Sequence, residues 1–322
     1  METTVGREPA RGSYTLSQLQ RPDGARIAVY AWPLPRHPKG VVQIAHGLAE
    51  HAARYDRLAR ALVDAGYAVY ASDHRGHGKS VADPSELGFF AREHGFDVLI
   101  EDLYAVNRYV AGRHGDLPRV LLGHSFGSFV TQGYLLAHAD SVSAVALSGT
   151  TSGQTPLLLA GIATAHAERA RLGPRATSKL LQQLSFGSYN RAFEPVRTDF
   201  DWLSRDPDEV DKYVADPLCG FDTSVQGWLD LFQGLLRIRS SQRQRGIPAQ
   251  LPIYIFSGAA DPVGDHGKGP KRLAKQYAAA GLKRVTLKLY ASARHELFNE
   301  TNRDQVTQDL IDWLGSSLPS VP

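Results

Sequence analysis

Gly123-His124-Ser125-Phe126-Gly127 is the stretch on which the reading of this chain turns. It follows an apolar run expected to be a strand over residues 119–123 and precedes a helix expected over 126–138. A G-x-S-x-G sequence in that setting makes a tight strand-to-helix turn whose glycines relieve steric conflict. The serine oxygen then points out of the sheet, and the amide of the next residue faces the same space. The helix start there favours developing negative charge. Ser125 is the candidate nucleophile, and Phe126 supplies one candidate oxyanion amide.

Outward from this turn the chain alternates between strands and helices. Strands are expected over 13–16 and 25–30, joined by the turn signal Pro22-Asp23-Gly24, and then over 41–45, 67–71, 142–148, 252–257 and 285–290. Helices are expected over 52–65, with Gly66 ending it, and over 98–113, 271–280 and 303–314. Residues 1–12 read as a polar leader. This rhythm specifies an α/β fold with a mostly parallel central sheet flanked by helices. It lapses for about 100 residues between Thr150 and Leu251, where helical patterns are broken at Gly173-Pro174, Asp206-Pro207 and Asp216-Pro217. The expected organisation is a core in two parts, 1–150 and 251–322, with a helical cap inserted over 151–250. Insertions at the carboxyl ends of such strands shape ligand sites. The apolar cap residues Leu157, Leu158, Leu159 and Ile162 are candidates to line an acyl tunnel or touch a lipid surface, with ordinary packing the competing role.

Composition narrows the class. Of 322 residues, 43% are hydrophobic and 21% charged, which excludes a largely disordered or fibrous chain. The single cysteine, Cys219, excludes intrachain disulfides and Cys-based zinc modules. No apolar leader or membrane-length run is read, so the expected location is cytoplasmic, with peripheral membrane contact through the cap. The net charge of +3 is spread along the chain. Arg237, Arg239, Arg243 and Arg245 form a basic stretch without interleaved aromatics, read as a solvated helical face rather than a nucleic-acid surface. In Asp73-His74-Arg75-Gly76-His77-Gly78-Lys79-Ser80 the spacing of a phosphate loop is missing, and no ligand pattern accompanies the two histidines. That segment is read as a Gly-permitted turn beneath the site, with no metal. No cofactor and no oligomeric state are specified.

A serine needs a base, and in this architecture the chain order is serine, acid, histidine. Beyond Ser125 stand His138, His166, His266 and His295. His295 follows the last strand in a short loop and is the candidate base; His166 and His266 are expected to be solvated. Asp261 follows the 252–257 strand and is the candidate acid, with Asp265 as competitor. It would fix the imidazole tautomer and stabilise the imidazolium. The second oxyanion amide is expected from the loop after residues 41–45, at Leu48.

Several segments together resemble the monoacylglycerol lipase and lysophospholipase branch of the α/β-hydrolase superfamily. They are HGLAEHAARYDRLA (46–59), SDHRGHGKS (72–80), GHSFGS (123–128), DPVG (261–264) and RHELFNE (294–300), with a bacterial-type cap stretch over 200–221. The resemblance runs from about Arg26 to Leu314. It implies the α/β-hydrolase fold, the triad Ser125, Asp261 and His295, the oxyanion donors Leu48 and Phe126, and a cofactor-free serine esterase. It further implies a glycerol-binding end formed by Glu50, Arg54, His124 and Tyr213. Two positions depart from the pattern: Phe298 stands where vertebrate members carry a second histidine, and Phe126 where many members have methionine. The expected partner is a small acyl ester or lipid, with transient contact to a membrane or micelle surface. Broad carboxylesterase, lysophospholipase, thioesterase, amidase and peptidase activities remain open on the same triad, as does a non-catalytic binding or lipid-adaptor role. A dehalogenase or epoxide hydrolase would need Asp in place of Ser125.

Overall fold

Strands whose every residue is buried organise the molecule. Val41–Ala45 (β3), Ala144–Ser148 (β6) and Ile253–Gly258 (β7) have no exposed position, as expected where both faces of a parallel sheet are covered. The computed structural model describes residues 14–319; the polar leader over 1–12, and Ser13, lie outside them. The remaining strands are Thr15–Gln20 (β1), Arg26–Ala31 (β2), Ala68–Ser72 (β4), Arg119–His124 (β5) and Val285–Tyr290 (β8). They form one eight-stranded sheet in the order β1-β2-β4-β3-β5-β6-β7-β8. β1, β2 and β4 pair antiparallel and the rest are parallel.

Alternation along each strand sends side chains to two cores. Leu121, Val145, Leu147 and Ile255 pack with helices Gly95–His114 (α2), Phe126–His138 (α3) and Lys268–Ala279 (α9). Val120, Leu122, Ala146 and Phe256 face the other way, toward Asp56–Asp64 (α1) and Arg303–Ser317 (α10). α1 ends as its sequence predicts. Gly66 takes φ +92°, and the Gly66 and Tyr67 N–H groups donate to Val63 and Leu62, closing the last turn.

Between β6 and β7 the chain adds no strand to the sheet. It forms Thr155–Leu172 (α4), Lys179–Phe186 (α5), Pro207–Ala215 (α6), Val225–Ile238 (α7) and the single turn Ser241–Gln244 (α8). α4 lies along α7, and α7 carries Trp228 and Leu235 into the first core. No helix among the described residues is long and apolar enough to cross a membrane.

The structure corrects four local expectations. β1 runs four residues past Leu16, to Gln20; it is an edge strand, and its polar Ser17, Gln18 and Gln20 hide it from an apolar pattern. The helix expected over 52–65 opens as a 3-10 turn, Ala52–Tyr55, whose first N–H donates to Asp73 Oδ1 at 2.7 Å. Arg237 and Arg239 are not simply solvated: Arg237 pairs with Asp97, and Arg239 donates to the carbonyls of Ser152 and Gly153. Leu157, Leu158, Leu159 and Ile162 are not among the residues lining the large cavity described below; Leu157 and Leu159 are exposed and Leu158 is buried.

Candidate active site

The strand order reverses at β3 and β5, so the crevice beyond their carboxyl ends is where such a sheet takes ligands. Two loops meet there. After β5, Ser125 adopts φ +50° and ψ −121°, a conformation that L-residues rarely hold and that stores about 1–3 kcal/mol. Its N–H donates to Ser148 of β6, and its carbonyl accepts from Ser128. The turn is tight enough to demand glycine: a Cβ at Gly127 would overlap the carbonyl oxygens of Ala45 and His46.

The structure brings Ser125, His295 and Asp261 together. Ser125 Oγ lies 2.8 Å from His295 Nε2, and His295 Nδ1 lies 3.0 Å from each Asp261 oxygen. Asp261 also accepts from the Val263 N–H at 2.9 Å and the Ser257 hydroxyl at 3.1 Å. Asp265 turns instead to Arg272 and Lys268. His166 and His266 are exposed, and His138 stacks on Tyr104. Burial pushes the Asp261 pKa up, but the His295 charge and these hydrogen bonds outweigh it and leave it below the ordinary 3.8. Burial would depress His295; the Asp261 carboxylate reverses that and holds it above the ordinary 6.5. In this geometry a neutral imidazole with Nδ1–H toward the carboxylate turns its Nε2 lone pair toward Ser125.

Leu48 and Phe126 border the same space. Among the described residues neither amide has a hydrogen-bond acceptor, which leaves both free for an oxyanion. Beneath them, the Asp73–Ser80 turn packs His74 and His77 edge-on and stacked against Phe126, with ring centroids 5.4 and 5.9 Å away. Burial lowers both imidazoles, to about 3 and about 4, so they pack as neutral rings.

The four residues implied as a glycerol-binding end cluster beside Ser125, with most of their polar atoms already engaged. Glu50 accepts from the Gly47 N–H at 2.5 Å, the Tyr55 hydroxyl at 2.8 Å and Arg54 at 2.5 Å. Arg54 also grips both oxygens of Glu296, at 2.7 and 2.8 Å. The Tyr213 hydroxyl donates to the Ala49 carbonyl at 2.9 Å. His124, whose Nδ1 meets Ser148 Oγ at 3.2 Å, is lowered to about 3 by burial and the nearby His295 charge. Glu296 was not singled out by sequence reasoning. Its one signal is position, directly after His295. Burial raises Glu296, yet Arg54 and its hydrogen bonds bring it to about 2, whereas burial leaves Glu50 raised.

Among the described residues, Arg54 is therefore the one cation between these two buried carboxylates. Arg54→Ala is expected to destabilise the fold by about 3–5 kcal/mol, as removal of one member of a buried pair does. Urea denaturation checks this; a loss under about 1 kcal/mol would mean that water reaches the cluster and the effect is that of a surface pair.

Two fastenings join the helical insertion to the site. The 3-10 turn Asp201–Leu203 sets Trp202 against the His295 ring, centroids 5.1 Å apart, while Leu203 accepts the Glu296 N–H at 2.7 Å. At the second, Tyr213 and Gly220 both donate to the Ala49 carbonyl, in the loop that bears Leu48. Above Ser125 lies a cavity of about 850 Å³. Its apolar walls come mainly from Phe186, Phe200, Trp202, Phe221, Trp228 and Leu235.

Comparison with known proteins places this geometry among relatives. The sequence pattern of the family described as serine aminopeptidase, S33, matches residues 36–302. The monoacylglycerol lipase of Mycolicibacterium smegmatis is 32% identical over 92% of this chain and 95% of its own. The monoglyceride lipase of Rattus norvegicus is 30% identical over 93% of this chain and 90% of its own. Among solved structures, a thermostable carboxyl esterase from Bacillus coagulans in complex with glycerol superposes with a TM-score of 0.88 at 28% identity, covering 95% of this chain and 99% of that one.

Proposed function

This chain belongs to the serine aminopeptidase S33 family and has the α/β-hydrolase fold, and from that premise we propose that it is a carboxylic-ester hydrolase acting on monoacylglycerols. The observation that carries the reading is the unbroken relay from Asp261 through His295 to Ser125 Oγ, at the floor of an aromatic-walled cavity. Ser125 Oγ attacks the ester carbonyl while His295 takes its proton. The tetrahedral oxyanion is held by the Leu48 and Phe126 amides. His295 returns the proton to the leaving alcohol, and the acyl group remains on Ser125. His295 then activates water to release the acid.

The helical insertion acts as the cap over this chemistry, and its cavity takes the acyl chain. Glu50, Arg54, His124 and Tyr213 form the polar end toward which the glycerol portion points. Because Arg54 and Tyr213 are bound to protein groups, they serve that end chiefly by holding Glu50 and the Leu48 loop in place. Leu157, Leu159 and Leu184, exposed on the insertion, meet the lipid surface from which substrate is drawn. Two curated relatives named as monoacylglycerol or monoglyceride lipases support the substrate class.

The test is turnover of a chain-length series of 1-monoacylglycerols beside p-nitrophenyl esters. Preference for monoacylglycerols, with an optimum in chain length, is the expected outcome. Turnover of simple esters alone would favour the second reading, a broad carboxylesterase, toward which the similarity to the Bacillus coagulans esterase points.

A further inference from the structure

Among the described residues, one group of three metal-ligating side chains stands apart from the Ser125 relay: His51, Asp216 and Cys219. Their ligand atoms all lie within 4.8 Å of one another, and His51 Nε2 is 2.9 Å from Asp216 Oδ2. Two of the three come from a single turn. The Cys219 N–H donates to the Asp216 carbonyl at 3.0 Å, with Pro217 at the second position, so the first and fourth side chains of the turn are neighbours. Paired ligands with two residues between them are how zinc modules grip from one loop. Asp216 is oriented as well, since its other oxygen accepts the Leu218 N–H at 2.9 Å. His51 approaches from the far side, out of the loop that bears Leu48.

The donor chemistry selects the ion. One sulfur, one imidazole nitrogen and one carboxylate oxygen suit a borderline-soft cation, whereas magnesium and calcium take oxygen. Among the described residues, the charged groups that act on Cys219 are Arg54 and the three carboxylates Glu50, Asp216 and Glu296. The Asp216 side chain is 30% exposed, which gives an entry path from solvent and room for a water as fourth ligand.

We propose that His51, Asp216 and Cys219 form a zinc(II) site of three protein ligands and one water, bridging the Leu48 loop and the helical insertion. On binding, the Cys219 thiol gives its proton to solvent, and His51 moves the Nε2 proton that now faces Asp216 to Nδ1 by exchange with solvent, which leaves the Nε2 lone pair for the ion. The hydrogen bond between His51 and Asp216 is replaced by two metal bonds of about 2.0–2.2 Å, and sulfur closes to about 2.3 Å.

Titration of the chelator-treated full-length protein with cobalt(II) tests the site directly. One equivalent should raise a thiolate-to-cobalt charge-transfer band together with the visible absorption of a tetrahedral ion, and zinc(II) should displace it. Since outer-shell changes alone cost about 10–100-fold in affinity, losing a ligand should cost at least about 100-fold. Cys219→Ser should abolish the charge-transfer band and weaken calorimetric zinc binding by that factor, with an unchanged melting temperature in the absence of metal. Asp216→Asn should weaken binding in the same direction. Ser125→Ala should bind zinc as the wild type does, which separates this site from the proposed chemistry. Absence of binding at millimolar zinc, or binding that survives Cys219→Ser combined with Asp216→Asn, would overturn the proposal.

Discussion

Ser125→Ala is expected to lower kcat for ester hydrolysis by about 10⁴–10⁶-fold, the range lost when the nucleophile of a serine triad is removed. KM should change little, because the cavity walls and the Leu48 and Phe126 amides are untouched. A companion variant separates chemistry from fold. Alanine at 125 keeps the Cβ and so keeps the unfavourable φ +50°. Glycine releases about 1–3 kcal/mol of backbone strain and gives back about 0.5–1 kcal/mol in chain entropy. Ser125→Gly should therefore be as inactive as the alanine variant yet more stable by about 1 kcal/mol, read from paired denaturation curves. Residual turnover in Ser125→Ala within tenfold of wild type would remove Ser125 from the mechanism altogether.

Asp261→Asn should cost about 10⁴-fold in kcat, because an amide in place of the carboxylate can donate to Nδ1 and hold the imidazole in the wrong tautomer. The pH profile carries a second, independent expectation. His295 must be neutral to take the serine proton, and its pKa lies above 6.5 while Asp261 is charged beside it. In the wild type kcat/KM should rise with pH through a midpoint above 6.5. Without the carboxylate, burial, the largest single influence on the imidazole, is no longer outweighed, and the pKa falls. The acid limb of the variant should then move to lower pH even as its plateau drops. A merely structural defect would lower the plateau and leave the limb where it was.

Much of this could be read from the chain because the informative residues are local. β3 and α3 run as expected, since a buried parallel strand reads as a mainly apolar run and the Gly123–Gly127 turn marks its own helix start; β8, half-exposed at the sheet edge, also runs as expected, on alternating apolar residues. Ser125, His295 and Asp261 each follow a strand, so the alternation alone places them at one edge of the sheet. The cavity was not legible. Phe186, Phe200, Trp202, Phe221 and Trp228 come from α5, the turn at 200–203, a connecting loop and α7, and share no period. Glu296 was missed for a related reason: its partner Arg54 lies 242 positions away, and only the fold sets that guanidinium beside it. The second half of β1, past Leu16, escaped because an edge strand with one wetted face need not be apolar.

The two fastenings of the insertion divide it unequally. Residues 201–204 and 213–220 are tied to the loops bearing His295 and Leu48. By contrast, among the described residues no hydrogen bond joins α5 to either loop, although its Lys179, Gln182, Gln183 and Phe186 face the cavity. The α5 part of the cavity wall is thus separate from the stretches fastened to the reacting groups, whereas Trp202, Tyr213 and Gly220 belong to both. Changes in α5 can resize or repolarise the chamber without retuning the proton relay, so a lineage could drift in appetite while its chemistry stays fixed.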